Sequence, residues 1–140
     1  IAVPKEGEHF TEFYILGPGG KAADYPTDFP AASTQSLMIG VGNHEYREIP
    51  YTVEALALNQ TFDPATNTST IHTAETLDRF VVTVPHNETR ELAWDFSVPS
   101  TNYNRIEFLL FNETIPGEDV VGQNRINASY RDLHLWVRAR

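Results

Sequence analysis

The five histidines are the side chains best suited to acid–base chemistry or metal binding near neutral pH. They are His9, His44, His72, His86 and His134. None has a second histidine two residues along a strand or four along a helix, the spacings that place two imidazoles on one metal ion. His44 lies beside Glu45 at a predicted corner, where a hydrogen-bonded turn histidine is the simpler interpretation. We therefore predict no metal site.

Acidic and hydroxyl side chains also lack the order of a catalytic or cation-binding motif. The segment Asp63–Ser69 offers loop oxygens but not the Asp-x-Asp-x-Asp-Gly order of a calcium loop. Glu118 and Asp119 form an adjacent pair in a long loop, where solvated charge is the ordinary state. No Gly-x-Ser-x-Gly elbow is present, and Gly17–Gly20 leads into a proline-rich loop rather than a phosphate-binding helix. We predict no catalytic residue, no cofactor and no enzymatic activity.

Acceptor sequences for N-glycosylation are the most informative pattern in the chain. Five of the nine asparagines begin an Asn-X-Ser/Thr sequon without proline at X, where chance gives about one. Each lies in or beside a predicted turn or at a strand end, where a sugar could remain in solvent. The alternative is that Asn, Ser and Thr, which are common in turns and strands, occur at this spacing by chance. The pattern favours an extracytoplasmic domain with candidate glycosylation sites at Asn59, Asn67, Asn87, Asn112 and Asn127.

Three outward-facing aromatic residues suggest a second kind of interaction. Tyr14, Phe111 and Trp136 could stack on a glycan or a peptide if their rings were exposed on one surface. Alternatively, they cover a second sheet face or an edge. Two functions stay open: a non-catalytic module for spacing or partner recognition, and a glycan- or peptide-binding module. Exposure of the three rings on a common face would favour binding, and their burial would favour spacing.

Strands with alternating apolar residues must position all of these groups. In the stretch Gln35–Leu58, Leu37, Ile39 and Val41 alternate with other residues before a Gly-Asn-His reversal, and a second extended run follows. This order predicts a β-hairpin or a corner between two sheets. The run Arg90–Val98 has the clearest alternation, with Trp94 facing inward. Replacing Trp94 with alanine is expected to cost about 3–5 kcal/mol, more than any other single truncation.

The whole chain repeats this alternation between turn signals, and no long amphipathic helix is predicted. A short helix could form within 119–124. The fold class is therefore all-β, an immunoglobulin-like antiparallel β-sandwich of about seven strands. Residues 9–140 form a single β-sandwich domain, and residues 1–8 form a linker. The predicted strands lie within 9–16, 35–41, 49–58, 77–84, 90–98, 105–111 and 130–137.

Composition argues against several classes of partner, site and structural element. The chain has 140 residues and a net charge of −9, which disfavours binding to nucleic acid or to an anionic membrane surface. It has no cysteine, so disulfides, thiolate metal sites and cysteine catalysis are excluded. No run of 18 apolar residues is present, so no transmembrane helix is predicted within the sequence.

Several motifs resemble a known family. Thr11–Gly17 reads TEFYILG, and a glycine-rich turn and an Ala-x-x-Tyr-Pro element at Ala22–Pro26 follow. An Asn-His-Glu-Tyr corner at Asn43–Tyr46 precedes a Tyr-Thr-Val strand at Tyr51–Val53. These motifs resemble archaeal membrane proteins classed as domain of unknown function 1616, and the resemblance covers most of the chain. It implies a domain outside the cell, carried by upstream membrane helices, with no assigned activity.

These interpretations combine into one expected function. The chain is expected to be a non-catalytic extracytoplasmic module of a membrane-anchored archaeal surface protein. Its location would be the extracytoplasmic face of the cell membrane, with residues 1–8 leading from a membrane segment outside this sequence. Its partners would be unknown proteins or glycans at the cell surface, with no nucleic acid among them.

Overall fold

The computed structural model describes residues 8–140, which are built mainly from β-strands. The predicted all-β class is therefore confirmed at the level of a mostly β chain with antiparallel sheets. The predicted linker at 1–8 lies outside the described residues except for Glu8. In chain order the elements are β1 (Phe10–Leu16), β2 (Asp28–Phe29), β3 (Gln35–His44), β4 (Ile49–Asp63), β5 (Thr68–Val84), β6 (Glu88–Phe96), β7 (Arg105–Asn112), α1 (Gly122–Ala128), β8 (Arg131–Trp136) and β9 (Arg138–Ala139).

Two antiparallel sheets contain the seven longer strands. One has the order β1-β3-β6 and the other the order β5-β4-β7-β8, while β2 and β9 pair in parallel. The strands β3 and β4 follow each other in sequence but belong to different sheets. Of the two predicted arrangements for this stretch, the corner between sheets is therefore the one that forms.

Both sheets contribute side chains to one hydrophobic core. Alternation places every second residue of a strand on the same face. The alternating residues Leu37, Ile39 and Val41 of β3 are all buried, as predicted. On β6, Trp94 and Phe96 are buried, while Leu92 is half-buried. The core residues include Leu37, Ile39, Val41, Ile49, Tyr51, Val53, Ala55, Trp94, Phe96, Ile106, Phe108 and Leu110.

Trp94 connects the two sheets through its ring and its indole nitrogen. The ring stacks on Phe96 at a centroid distance of 4.8 Å and meets the edge of Phe108 at 5.5 Å. Its Nε1 donates a hydrogen bond of 2.9 Å to the Asp78 carboxylate on β5, in the opposite sheet. Burial of the ring and satisfaction of the indole N–H are therefore achieved together.

The corner between β3 and β4 is organised by the buried side chain of Asn43. Its Nδ2 donates hydrogen bonds of 2.7 Å to the carbonyls of Arg47 and Val84, and its Oδ1 accepts one from the Glu45 N–H at 2.8 Å. Tyr46 completes the corner with a φ of 65°, a left-handed conformation that is uncommon for a bulky residue. The amide of Asn43 thus ties the corner to the end of β5.

The hairpin of β4 and β5 is longer than the strands predicted within 49–58 and 77–84. Residues 59–76 are predicted as a polar segment outside the strands, yet β4 continues to Asp63 and β5 begins at Thr68. Every residue from Thr61 to Thr70 is exposed. Because both faces of this part of the hairpin contact solvent, the sequence shows no apolar alternation there. The many threonines nevertheless favour extended backbone.

The helix α1 lies between β7 and β8 and begins later than predicted. The expected helix falls within 119–124, whereas the observed one spans Gly122–Ala128. No side chain caps its N-terminus, and its buried residues are Arg125 and Ile126. Burial of these two side chains therefore stabilises the helix more than local signals do. Within residues 8–140, no helix is long and apolar enough to cross a membrane.

Replacement of Trp94 with alanine should lower the free energy of unfolding by about 3–5 kcal/mol, because it removes a large buried ring and leaves a cavity between the sheets. The matched control is Trp136→Ala, since the Trp136 side chain is 49% exposed, and this change should cost less than about 1 kcal/mol. Urea unfolding followed by circular dichroism measures both. Equal losses in the two variants would contradict this account of the core.

Candidate functional site

A buried carboxylate lies on the outer face of the four-stranded sheet. Glu54 is completely inaccessible to solvent. Arg125 of α1 donates two hydrogen bonds of 2.7 Å to its two oxygens, and Arg79 of β5 donates a third of 2.9 Å. The third nitrogen of the Arg125 guanidinium donates to the carbonyls of Gly117 and Val120. One carboxylate and one guanidinium therefore attach the segment between β7 and β8 to the sheet.

The ionisation of Glu54 follows from these partners. Burial alone would raise the pKa of the carboxyl, but the hydrogen bonds and charge of Arg125, assisted by Arg79, outweigh burial and hold the pKa below its ordinary value. Glu54 is therefore a carboxylate at neutral pH. Since its oxygens are occupied by guanidinium groups, the arrangement is suited to structural stabilisation rather than proton transfer.

A second buried carboxyl on the same face has fewer partners. Glu107 of β7 is fully buried and accepts one hydrogen bond of 3.1 Å from Arg105. Its Oε2 and the Arg105 Nε have no hydrogen-bond partner among the described residues. Burial raises the pKa of Glu107 to about 7; Arg105 opposes the rise and Asp132 adds to it. The carboxyl of Glu107 therefore exchanges its proton near neutral pH.

Strand β8 brings two further side chains to this second cluster. His134 is the cross-strand neighbour of Glu107, and Trp136 is the neighbour of Arg105. The guanidinium of Arg105 lies 5.0 Å from the centroid of the Trp136 ring. Burial and the charge of Arg105 lower the pKa of His134. The cluster is therefore a mixed polar surface beside one exposed tryptophan.

Three of the five histidines meet at one end of the molecule. His44 contacts Glu12 through Nε2 at 2.9 Å, His9 contacts the Glu45 carbonyl at 3.0 Å, and His86 accepts the Tyr46 N–H at 3.0 Å. His72 contacts Thr61 on the β4–β5 hairpin instead. Among residues 8–140, no group of three or more His, Cys, Asp or Glu side chains has a geometry that could hold a metal ion.

None of the five sequon asparagines is buried. Asn67, Asn87 and Asn127 are exposed, while Asn59 and Asn112 are half-buried. Asn67 and Asn87 lie in turns with φ angles of 52° and 66°, a conformation that asparagine tolerates well. The Asn59 amide donates to the Asn102 carbonyl, and the Asn127 amide oxygen accepts from Gln123. All five positions are accessible to some degree, and Asn67 and Asn87 are both exposed and in turns.

The three aromatic candidates do not form a common exposed surface. Phe111 is only 2% exposed, because Leu56, Leu58, Leu109 and Ile126 pack with it under α1; its predicted outward exposure is wrong. Tyr14 lies over its cross-strand neighbour Gly40 on β3 of the same sheet, where an added Cβ would clash with the ring. Burial and the hydrogen bond to Glu91 raise the pKa of Tyr14 to about 12. Of these three candidates, only Trp136 has an exposed ring.

A shallow pocket of about 360 Å³ opens between the edges of β5 and β6. Its described lining includes Trp94, Phe96 and Asp95, and the Asp95 carboxylate accepts a hydrogen bond from Ser36. Elsewhere, Glu118 of the predicted loop pair receives a hydrogen bond from Arg79, so it extends the Glu54 cluster. The pocket therefore adds acidic and aromatic groups, but no histidine from the described lining.

The Glu54 cluster was missed by sequence reasoning because its members are far apart along the chain, whereas Arg105 and Glu107 lie only two residues apart on β7. Glu54 and Arg125 are 71 residues apart. The sequence contains one indication of each buried charge, which is a glutamate inside an apolar run, at Glu54 and at Glu107. A charge in the middle of a buried strand requires a partner, but the sequence does not indicate which residue supplies it.

Replacement of Glu54 with alanine should destabilise the domain by about 3–5 kcal/mol, because it leaves the Arg125 guanidinium buried without a counter-charge. The double variant Glu54→Leu with Arg125→Met removes both charges and should recover most of that loss. Glu118→Ala, which removes only an exposed contact of Arg79, is the matched control and should change stability by less than about 0.5 kcal/mol. Urea unfolding of the four proteins tests the pair. A Glu54→Ala variant as stable as the control would overturn it.

Replacement of Glu107 with glutamine should reduce the pH dependence of stability. The folded-state pKa of about 7 lies above the ordinary 4.5, so the folded protein binds a proton that the unfolded chain releases. This contribution is complete below pH 4.5 and is lost as pH rises through 7. Between pH 5 and pH 8 the wild-type protein should lose about 2–3 kcal/mol through this carboxyl.

The difference between wild type and Glu107→Gln isolates this effect from the other ionisable groups, which are the same in both proteins. Urea unfolding at several pH values provides the measurement, and Glu75→Gln at an exposed position is the control. Parallel stability curves for wild type and Glu107→Gln would rule out proton binding by Glu107.

Solved structures of other proteins share this fold at low sequence identity. The CARDB domain of a Pyrococcus furiosus protein, solved in complex with di-metal ions, is 15% identical, covers 94% of this chain and 93% of its own, and has a TM-score of 0.52. A Listeria innocua β-glucosidase in complex with gluconolactone is 8% identical, with a TM-score of 0.50; 93% of this chain matches 16% of that enzyme. At these identities the likeness shows the fold alone.

No curated protein sequence matches the chain. A family model described as "Domain of unknown function (DUF1616)" matches residues 4–138, which is nearly the whole sequence and includes all the motifs from Thr11 to Val53. The resemblance predicted from those motifs is thereby confirmed for the family. The chain belongs to the family of domain of unknown function 1616.

Proposed function

We propose that this domain is a non-catalytic extracytoplasmic module of a membrane-anchored archaeal surface protein. Its role would be to space or pack neighbouring parts of that protein or to recognise a partner protein or glycan at the extracytoplasmic face of the membrane. The observation that carries the proposal is the accessibility of all five sequon asparagines, none of which is buried. A domain that meets an oligosaccharide transferase outside the cytoplasm requires accessible acceptors of this kind.

The local chemistry of the charged side chains supports a structural role. The carboxylate of Glu54 is saturated by guanidinium hydrogen bonds, and Glu45 accepts hydrogen bonds from Thr11 and Tyr130. Catalytic carboxyls must instead present a free oxygen to a substrate. Glu107 has a free oxygen but is fully buried. These contacts are typical of groups that hold strands together.

We also propose the finer fold description, an immunoglobulin-like sandwich of about seven principal strands. Support comes from the two strand orders β1-β3-β6 and β5-β4-β7-β8 and from the core that both sheets share. The fold likeness to the CARDB domain agrees with this description. Folds of this kind host many unrelated functions, so the fold itself does not specify a ligand.

The alternative, a glycan- or peptide-binding module, now depends on Trp136. Tyr14 and Phe111 do not share its face as exposed rings, and a single ring is a small stacking platform. Its remaining support is the arrangement of Arg105, His134 and Trp136 beside one another on β7 and β8. The module for spacing or recognition therefore has the stronger support.

The proposed location is tested on intact cells of the native host. Protease added outside should release peptides from the exposed hairpin Thr61–Thr70, and mass spectrometry of the purified protein should find sugar on at least one sequon. A cytoplasmic protein of the same cells, digested only after lysis, is the control. Peptides that appear only after lysis, from a protein that carries no sugar, would refute the proposed location.

A further inference from the structure

We propose that Asn87 is a glycosylation site whose first sugar packs against two stacked aromatic pairs of this domain, Phe10–His44 and Tyr46–His86. We call these two pairs the ring stacks. The inference rests on the proposed extracytoplasmic function and goes beyond it, because it assigns one sequon a bound sugar instead of a freely moving one. The ligand class is a hexose or N-acetylhexosamine linked to the asparagine amide.

The backbone at Asn87 is held firmly in place. Its N–H donates a hydrogen bond of 2.7 Å to the Asn43 carbonyl, and Asn43 is the buried residue whose side chain organises the corner between β3 and β4. The φ angle of Asn87 is 66°, which the short polar side chain of asparagine accommodates. The exposed side chain therefore projects from a fixed turn.

The ring stacks lie next to this turn. Phe10 stacks on His44 with centroids 4.5 Å apart, and Tyr46 stacks on His86 with centroids 4.6 Å apart. His44 approaches the Asn87 Oδ1 to 3.4 Å through Nδ1, and His86 directly precedes Asn87 in the chain. Asn87 is thus adjacent to one imidazole from each pair.

Hydrogen bonds and neighbouring rings hold the two stacks in place. His86 accepts the Tyr46 N–H at 3.0 Å, and His44 contacts the Glu12 carboxylate at 2.9 Å. The His9 ring meets Tyr46 edge-on at 5.0 Å. A ring surface that is already ordered loses little conformational entropy when it binds.

The outer parts of the ring stacks remain accessible to solvent. Phe10 is 41% exposed and Tyr46 is 46% exposed, so both rings present apolar surface to solvent. The C–H faces of a pyranose pack well on aromatic rings, because they remove apolar surface from water on both sides. A sugar on Asn87 supplies such a face at the correct place without an added binding partner.

Asn67 provides a matched comparison within the same molecule. It is also exposed, also in a sequon and also left-handed, with a φ of 52°. It lies beyond the far end of β4, which starts near the ring stacks and runs for 15 residues, or about 45 Å. Its immediate neighbours are Thr66 and Thr68. A sugar there should extend into solvent.

The test uses two versions of the chain, one that retains only the sequon at Asn87 and one that retains only the sequon at Asn67. In each version the Ser or Thr of the other four sequons is replaced by alanine. Each is produced in a secretory host that attaches N-acetylglucosamine-linked glycans and in a host that attaches none, so that the compared polypeptides are identical. The sugar on Asn87 should raise Tm by about 2–4 °C, and the sugar on Asn67 should shift it by less than about 1 °C.

A second version of the Asn87 protein carries Phe10→Ala and Tyr46→Asn, the latter because asparagine tolerates the left-handed φ. In this version the sugar-dependent rise in Tm should disappear. Nuclear Overhauser effects between the first sugar and the ring protons of Tyr46 or His86 provide a readout that does not depend on stability. They should be present in the parent protein when it carries sugar on Asn87, and their absence there would contradict the packing.

Three further results would overturn the inference. They are equal shifts of Tm for Asn87 and Asn67, a shift that survives loss of the rings, and failure of the secretory host or the native cell to modify Asn87. If other sequons carry sugar in the native cell while Asn87 does not, the proposed function stands and this inference alone fails. If no sequon carries sugar and the protein is cytoplasmic, both fail.

Discussion

The central constraint on this molecule is a carboxylate with no access to water in the middle of a β-strand. Glu54 can remain ionised only because two guanidinium groups reach it, and one of them, Arg125, lies 71 residues later. Arg125 also binds two carbonyls of the loop that precedes its helix. The hydrogen bonds of Arg125 therefore fix the irregular segment between β7 and β8 against the sheet. They also hold α1 over Phe111 and Leu109.

Alternation of apolar residues was sufficient to predict most of the architecture. The inward residues of β3 and β6 are identified because they recur at a period of two in the sequence. The middles of β4 and β7 are buried on both faces. Three features could not be obtained in this way. The outer half of the β4–β5 hairpin has no buried face, α1 depends on a distant partner of Arg125, and Phe111 is buried by that helix. Each depends on contacts between remote segments.

Some candidate sites are local sequence patterns, and others depend on contacts between remote segments. The sequons are local patterns, and the structure places all five where solvent reaches them. The meeting of His9, His44 and His86 is not local, since it depends on the pairing of β1 with β3 and on the turn between β5 and β6. Sequence spacing gave no indication of that cluster. The Asn-His-Glu-Tyr corner is one of the motifs that resemble the family. The structure shows a physical role for its first residue, because the hydrogen bonds of Asn43 hold the corner together.

The long hairpin also affects how one copy of the domain meets another. Strand β5 forms one edge of the four-stranded sheet over 17 residues, and unpaired edges of that length invite strand addition between molecules. The pairing of β4 with β5 is interrupted between Ala55 and Leu56 and again between Asn59 and Gln60. Such irregularities increase local twist. A more twisted edge is a poorer template for strand addition than a flat one, which disfavours association of two copies through this strand.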